Sequence, residues 1–331
     1  MTSAAANSET TYSIVSFDDF NGWTKDNHQA ALDVFQETCG DLKQQEWLSI
    51  CALATSRPNP KTFFELLFRP VLIEDGEPAL FTGYFEPELL GSRTKSYKFR
   101  YPIYSKPTEL ENGQLWHTRE AIENQEILSG RGLEIAWVDN PVDVFFLHVQ
   151  GSGRIRLEDG SIIRIGYGGS NGHNYRSIGK ELVRRGTYLP HQVSAQVIRN
   201  WVSRNPALGS ALLQTNPSYV FFRKLQDLAS DKGPLGAMNR SITALRTVAV
   251  DPGFVPLGAP VWVEKGGLNG FRRLMVAQDT GSAIKGAQRA DIFFGTGDDA
   301  GREAGRIRDP GRMIVLLPID MAYGLVEGQN Q

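Results

Sequence analysis

The chain of 331 residues is long enough to bury a substantial core and to form two domains, or one domain with an insertion, and its 41% hydrophobic and 22% charged residues are typical of a globular protein. The formal net charge of −2 gives no electrostatic argument for nucleic acid or an anionic membrane as a partner, so a polyanion would need a local basic patch. No apolar run reaches the roughly 18 residues of a membrane span, and the start, MTSAAANSETTYS, lacks an export signal, which fits a cytoplasmic protein or the mature form of an exported one.

Two short helices are predicted near the start of the chain, over 27–38 and 42–55, with Gly40 in the break between them. The two cysteines of the sequence, Cys39 and Cys51, lie on these adjacent elements. We therefore predict a disulfide, which suits an exported protein. Two unpaired buried thiols, which suit a cytoplasmic protein, are the alternative.

Strands dominate the pattern from Val71 onward. An amphipathic turn is predicted over 61–68, and a strand over 79–87 places Thr82 and Tyr84 on one face, where they could meet a ligand. Both residue types are also common in strands for their shape alone.

The middle third is predicted to be a small β-rich domain with a few helices. Thr118 begins a helix with a capping-box pattern that ends at Ile127. The other predicted elements are strands over 134–138, 143–150 and 154–157, a hairpin turn at 158–161, a strand over 162–167, helices over 178–185 and 190–200, and a strand opening at 216.

From Ala244 the sequence alternates short strands with glycine and proline turns, which predicts a small closed or nearly closed barrel. The predicted strands cover 245–250, 261–264, 274–277, 291–294 and 312–317, and one helical turn is expected at 300–306.

Several kinds of chemistry find no support in the sequence. The five histidines are scattered and no cysteine cluster accompanies them, so no metal site is predicted. Ser152 lies in Gly-Ser-Gly, which is not a nucleophile elbow, and the strand predicted after it excludes a dinucleotide fingerprint. We expect no cofactor.

Three carboxylates in the last third remain, Asp251, Asp279 and Asp291. Asp291 opens an apolar strand, where partial desolvation raises the pKa of a carboxyl toward the range of a general acid. Asp279 precedes Thr-Gly and Asp251 precedes Pro-Gly, and in both places an aspartate is also common turn chemistry. Aromatic and amide side chains that suit carbohydrate recognition lie elsewhere: Tyr84, Gln150, Asn171, Tyr175, Tyr219 and Phe221.

The segment RLMVAQDTGSAIKGAQRADIFFG, residues 273–295, resembles the three-aspartate domain of the membrane-bound lytic transglycosylase A family. The resemblance extends to FTGYFEPELLGS at 81–92, to residues 145–186 and to NPSYVFFR at 216–223, in the order of the family. It implies a mainly β protein with some α structure, in which a double-psi β-barrel domain and an inserted second β-barrel domain flank a groove for a glycan strand. The expected domains are 1–98 with 228–331 for the catalytic barrel, including the N-terminal helices, and 99–227 for the insertion.

The reaction implied by the resemblance is cleavage of the β-1,4 bond between N-acetylmuramic acid and N-acetylglucosamine in peptidoglycan, with formation of a 1,6-anhydro ring. Asp291 corresponds to the catalytic aspartate, which acts first as acid and then as base, and Asp279 and Asp251 are its companions. Asp279 would either raise the pKa of Asp291 by repulsion or anchor its loop by accepting N–H groups of Gly281 and Ser282. The substrate-binding positions implied are Thr82, Tyr84, Gln150, Ser152, Asp251 and Lys285.

The partners implied are peptidoglycan strands and other cell-wall enzymes, in the periplasm. Lipoprotein members carry an N-terminal cysteine for acylation, whereas this chain begins Met1-Thr2-Ser3, so association with the outer membrane stays open. Two other functions are compatible with the sequence: a glycoside hydrolase that uses Asp279 and Asp291 as a pair, and a glycan-binding protein without activity.

Overall fold

The computed structural model describes residues 10–111, 113–267 and 270–329. Met1-Thr2-Ser3, on which the expectation about acylation depends, lies outside these residues. The strands are Thr11–Ile14 (β1), Phe68–Glu74 (β2), Leu80–Glu86 (β3), Glu88–Ser92 (β4), Tyr101–Tyr104 (β5), Glu134–Val138 (β6), Gly153–Leu157 (β7), Ile162–Ser170 (β8), Val220–Lys224 (β9), Thr247–Val250 (β10), Pro260–Lys265 (β11), Phe271–Thr280 (β12), Arg289–Thr296 (β13), Arg308–Asp309 (β14) and Gly311–Pro318 (β15). The α-helices are His28–Thr38 (α1), Gln45–Ala54 (α2), Pro60–Leu67 (α3), Arg119–Asn124 (α4), Pro141–Gln150 (α5), Ile178–Arg184 (α6), Ala195–Arg204 (α7), Pro206–Gln214 (α8), Gly297–Ala304 (α9) and Ile319–Gly328 (α10).

Two compact units divide the chain. The first is formed by the described residues of 1–84, 235–295 and 306–331, and the second by those of 85–234 and 296–305. Each unit is built on one sheet.

The sheet of the first unit has the strand order β1-β2-β15-β11-β12-β10-β13-β3-β14 and is nearly closed. Its core strands are apolar on both faces, as in Thr247–Val250, where every residue is buried. Helices α1 to α3 supply a cluster of aromatic rings to this core, in which Phe35 lies within 6.4 Å of the rings of Trp47, Phe64 and Phe68. The predicted fold class, mainly β with some helices and a nearly closed barrel sheet, is confirmed.

A disulfide joins Cys39 and Cys51, with their Cα atoms 5.5 Å apart. It links the end of α1 to α2 and thus fixes the helical hairpin that the sequence predicts. The prediction of a bridge is confirmed, and the alternative of two free thiols is wrong.

The sheet of the second unit has the order β5-β6-β4-β7-β8-β9. Ile103, Ile155 and Ile165 are fully buried between its inner face and α5. A second cluster, which includes Leu182 and Leu212, joins helices α5 to α8.

Several predicted elements are wrong. The strand predicted over 143–150 is the helix α5, because Asn140 caps it by accepting the N–H of Val142 and Pro141 occupies the first turn. The amphipathic turn over 61–68 is a full helix, α3, capped by Asn59. The helix predicted over 190–200 is a 3-10 turn, Pro190–Gln192, followed by α7, which begins after the Ser194 cap.

Two further helices, α8 and α10, have no counterpart in the prediction. Among the described residues, no helix has both the length and the apolar character needed to cross a membrane.

Candidate active site

Two of the predicted aspartates lie on either side of one small residue in the first unit. Strand β10 runs between β12 and β13, and its residue Ala249 pairs with Asp279 on β12 and with Asp291 on β13. Side chains of paired residues point to the same face of a sheet, and neighbouring strands are about 4.8 Å apart. The Cα atoms of the two aspartates are therefore roughly 10 Å apart across the methyl group of Ala249.

A β-bulge produces this alignment. Val248 pairs with Ala277, but the next residue, Ala249, pairs with Asp279, so that Gln278 is the extra residue on β12. A bulge turns the following side chain relative to a regular strand. Here it brings Asp279 into the same row as Asp291.

Alternation along β13 separates the structural core from the face that carries the aspartates. Ala290 and Ile292 point into the main core. Phe293 instead joins Tyr84, Ala249, Ile242 and Ile284 in a small apolar cluster. Asp291, which shares its side of the strand with Phe293, therefore lies beside an apolar floor.

Asp291 is half-buried and has few polar neighbours. Its Oδ1 accepts a hydrogen bond from the Thr82 hydroxyl at 2.5 Å, and the Thr82 Oγ1 in turn accepts one from Nη2 of Arg289 at 2.8 Å. A guanidinium can only donate, so the single hydroxyl proton of Thr82 is directed to Asp291. Within the part of the chain that the structure describes, Oδ2 of Asp291 receives no hydrogen bond.

Asp279 is half-buried too but is held by three donors. Its Oδ1 accepts the N–H groups of Ala237 at 3.0 Å and Thr280 at 2.9 Å, and its Oδ2 accepts the Tyr84 hydroxyl at 2.8 Å. The prediction that Asp279 accepts N–H groups of Gly281 and Ser282 is wrong, because a hairpin over residues 235–241 folds over the carboxylate and supplies the Ala237 donor instead.

Burial raises the pKa of both carboxyls. For Asp291, desolvation outweighs the opposing effects of the Thr82 hydrogen bond and the Arg289 charge. For Asp279, desolvation and, to a smaller extent, the charge of Asp291 together raise the pKa to about 6 against the effect of its three donors. Repulsion between the pair thus acts in the structure on Asp279, whereas the elevated pKa of Asp291 comes from burial.

Asp251 is a loop anchor in this structure. Its Oδ1 accepts the N–H of Gly253 at 3.1 Å, its Oδ2 accepts that of Gly286 at 3.0 Å, and the Lys285 ammonium lies 3.5 Å away. Although burial opposes it, these hydrogen bonds and the lysine charge lower the pKa of Asp251. Lys285 is largely exposed. Roles of Asp251 and Lys285 in binding substrate stay predictions.

The remaining predicted positions lie in the second unit. Gln150 ends helix α5, where its Oε1 accepts the N–H of Phe85 at 3.0 Å, and Ser152 is buried just before β7. Their roles in binding substrate also stay predictions.

Several side chains that the sequence suggested for carbohydrate recognition instead stabilise the fold of this unit. Asn171 is fully buried and bonds the backbone of His117, Pro217 and Tyr219. Tyr219 and Phe221 are buried in a core cluster.

Arg289 and the Ala237 amide are absent from the sequence prediction. A signal for Arg289 was present, since it stands two residues before Asp291 and strand alternation places both on one face. No local pattern indicates Ala237, whose contact with Asp279 spans 42 positions. No group of side chains suited to a metal occurs among the described residues.

Comparison with known proteins shows the family of this chain. The chain matches the model of the MltA specific insert domain over residues 80–223 and that of the 3D domain over 246–317. It is 39% identical over 262 residues to membrane-bound lytic murein transglycosylase A of Escherichia coli K12, covering 75% of this chain and 68% of that protein. The Vibrio cholerae protein of the same name is 36% identical over 247 residues, covering 72% of this chain and 65% of that protein.

The chain belongs to the lytic murein transglycosylase A family. The chain is also similar to solved structures of the family. The membrane-bound lytic murein transglycosylase of Agrobacterium tumefaciens has a TM-score of 0.85 at 32% identity, with 95% of this chain and 99% of that chain covered. Escherichia coli MltA with bound chitohexaose has a TM-score of 0.75 at 30% identity, with 93% and 94% covered. The predicted resemblance to the lytic transglycosylase A family is thereby confirmed.

Proposed function

We propose that this protein is a peptidoglycan lytic transglycosylase that cleaves the bond between N-acetylmuramic acid and N-acetylglucosamine with Asp291 as its single acid and base. The observation that carries the proposal is the state of Asp291, a half-buried carboxyl with a raised pKa and one oxygen that no described donor occupies. Such a group can hold a proton and present it to a ligand.

In the first step, protonated Asp291 donates its proton to the glycosidic oxygen. The bond between that oxygen and C1 of the muramoyl residue breaks, its electron pair stays on the departing oxygen, and positive charge develops at C1. Phe293 and its apolar neighbours disfavour the charged form of Asp291, so the carboxyl keeps its proton until the substrate oxygen accepts it.

In the second step, the Asp291 carboxylate accepts the proton of the muramoyl C6 hydroxyl, whose oxygen attacks C1 and closes the 1,6-anhydro ring. The acid is thereby regenerated and no water is consumed. A hydroxyl held on the same sugar has a high effective concentration, which favours ring closure over hydrolysis. Thr82, with its proton directed at Oδ1, stabilises the carboxylate between the two steps.

Asp279 contributes charge in this scheme. With a pKa of about 6, Asp279 is largely ionised at neutral pH, so its negative charge stabilises the positive charge that develops at C1. Because the Tyr84 hydroxyl and two amides hold it in place, little reorganisation accompanies this stabilisation.

A second candidate is a hydrolase that uses the two aspartates as a pair. It is favoured by their places on either side of Ala249 and by the pKa of Asp279, since about 6 also suits a general acid. Hydrolysis would leave reducing ends, whereas transglycosylation leaves anhydro ends.

The test compares the parent with Asp291→Asn on purified sacculi, and Asp298→Asn, at an exposed aspartate of α9, is the matched control. We expect Asp291→Asn to lose lysis while keeping its circular dichroism spectrum and melting temperature, and Asp298→Asn to behave as the parent does. Lysis by Asp291→Asn at the parental rate would overturn the proposal.

The compartment belongs to the proposal as well. The curated relatives are named membrane-bound, and the disulfide between Cys39 and Cys51 suits an oxidising compartment. We therefore place the activity in the periplasm, with the outer membrane as the associated surface.

A further inference from the structure

A strongly basic stretch follows β4 in the second unit. Between Leu89 and Thr108 the sequence contains no acidic residue, and four of its cations fall within the eight residues from Arg93 to Arg100. We call Arg93–Arg100 the basic loop. Its four cations, Arg93, Lys95, Lys98 and Arg100, are all exposed, in a chain whose overall net charge is −2.

A buried residue and two hydrogen bonds fix the conformation of the basic loop. Phe99 is buried, with 2% of its surface exposed, and the N–H of Ser96 donates to the Phe99 carbonyl at 2.9 Å while the Phe99 N–H donates to the Ser96 hydroxyl at 3.1 Å. Tyr97 and Lys98 form the tip of this turn. The loop therefore presents its charges from a fixed base.

Tyr97 at the tip is 94% exposed. Its ring has the Arg100 guanidinium 5.9 Å from its centroid, and the ring of Trp137, which is half-buried, has the Lys95 ammonium 5.4 Å from its centroid. Tyrosine and tryptophan rings are enriched at the interface of a lipid bilayer, where the ring lies at the headgroup level.

The adjoining outer face of the sheet adds apolar surface. Leu90 pairs with Arg156, which pairs with Ile162, so the three side chains form one row on the face opposite the core. Leu90 is 56% exposed and Ile162 is 38% exposed. Strand β4 leads from this row directly into the basic loop.

Carboxylates of the described residues also adjoin the loop, and Glu158 is one of them, because Leu157 before it pairs with Gly91 at the end of β4. Asp159 interacts with Arg93, and Asp139 follows Val138, whose carbonyl accepts the N–H of Arg100. They leave the surface with an excess of positive charge. A surface that combines this charge with an exposed ring and exposed aliphatic side chains is complementary to anionic lipid headgroups above acyl chains.

We propose that the basic loop is a membrane-binding surface that takes the anionic headgroups of a phospholipid bilayer. The inference is independent of the catalytic proposal, because it rests on residues of the second unit only. Each cation near an anionic bilayer contributes roughly a fivefold increase in partitioning, and four together several hundredfold.

The experiment measures co-sedimentation of the parent chain with vesicles of phosphatidylcholine alone and with vesicles that contain one quarter phosphatidylglycerol, at low and high salt. We expect binding to the phosphatidylglycerol vesicles only, weakened by salt because surface charges are screened. The variant with Arg93, Lys95, Lys98 and Arg100 changed to glutamine should lose at least a hundredfold in partitioning. Tyr97→Ser should lose roughly tenfold, about the transfer free energy of a partly buried ring.

A matched control changes four exposed cations to glutamine: Lys180 and Arg184 of α6, Arg185 directly after it, and Arg204 of α7. Melting curves establish that both quadruple variants are folded. Equal binding by the two quadruple variants, or no binding of the parent to anionic vesicles at low salt, would overturn the proposal. The proposal would also be overturned if the basic-loop variant lost binding to sacculi but kept its binding to vesicles, because the loop would then bind the wall polymer and not the lipid.

Discussion

The two sides of Ala249 carry the same functional group in different surroundings. On the β12 side, three donors fix Asp279 and determine its direction. On the β13 side, the Thr82 hydroxyl donates to Oδ1 of Asp291, and Oδ2 of Asp291 accepts no hydrogen bond from the described residues. A carboxylate whose oxygens are both hydrogen-bonded, such as Asp279, suits a fixed charge. A carboxyl with one oxygen available, such as Asp291, suits proton transfer. The difference explains how one row of a sheet can provide both a charge and an acid.

The comparison is tested most strongly by replacing one aspartate at a time. Asp291→Asn removes the transferable proton, and we expect the rate of sacculus lysis to fall roughly 10³-fold or more, the range of general acid catalysis. Asp279→Asn keeps acceptors for the Ala237 and Thr280 amides and should cost about tenfold, the equivalent of one pKa unit of electrostatic stabilisation. Initial rates of the two variants under one set of conditions decide this. Equal losses would favour the paired-carboxylate hydrolase.

The connection from Arg289 through Thr82 to Asp291 should appear in the pH dependence. Asp291 must be protonated at the first step, so kcat/KM falls as pH rises through its pKa. Because the Thr82 hydrogen bond and the Arg289 charge lower that pKa, Arg289→Met should move the fall in kcat/KM to higher pH, and Thr82→Val should move it in the same direction. Thr82→Ser keeps the hydroxyl and serves as the control. An unshifted profile in Arg289→Met would mean that the arginine supports only the fold.

The elevated pKa of Asp279 also predicts a change in stability. A carboxyl with a folded pKa of about 6 and an ordinary unfolded pKa of 3.8 contributes stability that is present below pH 3.8 and lost as pH rises through 6. Asp279→Asn removes this dependence, and its free energy of unfolding at pH 7 should exceed that of the parent by about 1–2 kcal/mol, a figure reduced for the partial exposure of the group. Urea unfolding at pH 4 and pH 7 measures the difference. A variant that is less stable than the parent at pH 7 would contradict this account of Asp279.

Removal of the disulfide is expected to have the smallest effect on activity. Cys39 and Cys51 lie in the helical hairpin and contact neither aspartate, so Cys39→Ser with Cys51→Ser should leave the rate of lysis unchanged at 25 °C. The free energy of unfolding should fall by about 2–4 kcal/mol because the unfolded chain is no longer constrained. A large loss of activity in a variant that is still folded would show that the hairpin influences the row around Ala249.

The sequence predicted those features that depend on local patterns or on a strong resemblance. Short apolar runs between glycine and proline turns gave the strands of the nearly closed sheet, and Asp291 at the mouth of one such run was correctly expected to have a raised pKa. Helix α5 was mistaken for a strand because its run of valine and phenylalanine residues outweighed the Asn-Pro start signal.

Other features depend on pairing between distant segments. The bulge at Gln278 and the opposition of Asp279 and Asp291 across Ala249 follow from the register of three strands. The Ala237 donor comes from a hairpin far along the chain from Asp279. No pattern within one segment could have indicated these contacts, and they determine which aspartate is held and which is available.

The most direct test of the single-acid account is the mass of the fragments that the parent enzyme releases from purified sacculi. If Asp291 returns its proton by way of the muramoyl C6 hydroxyl, the new ends carry the 1,6-anhydro ring and are lighter by one water than hydrolytic ends. Fragments that end in ordinary reducing sugars would contradict the account, because water would then have been the nucleophile.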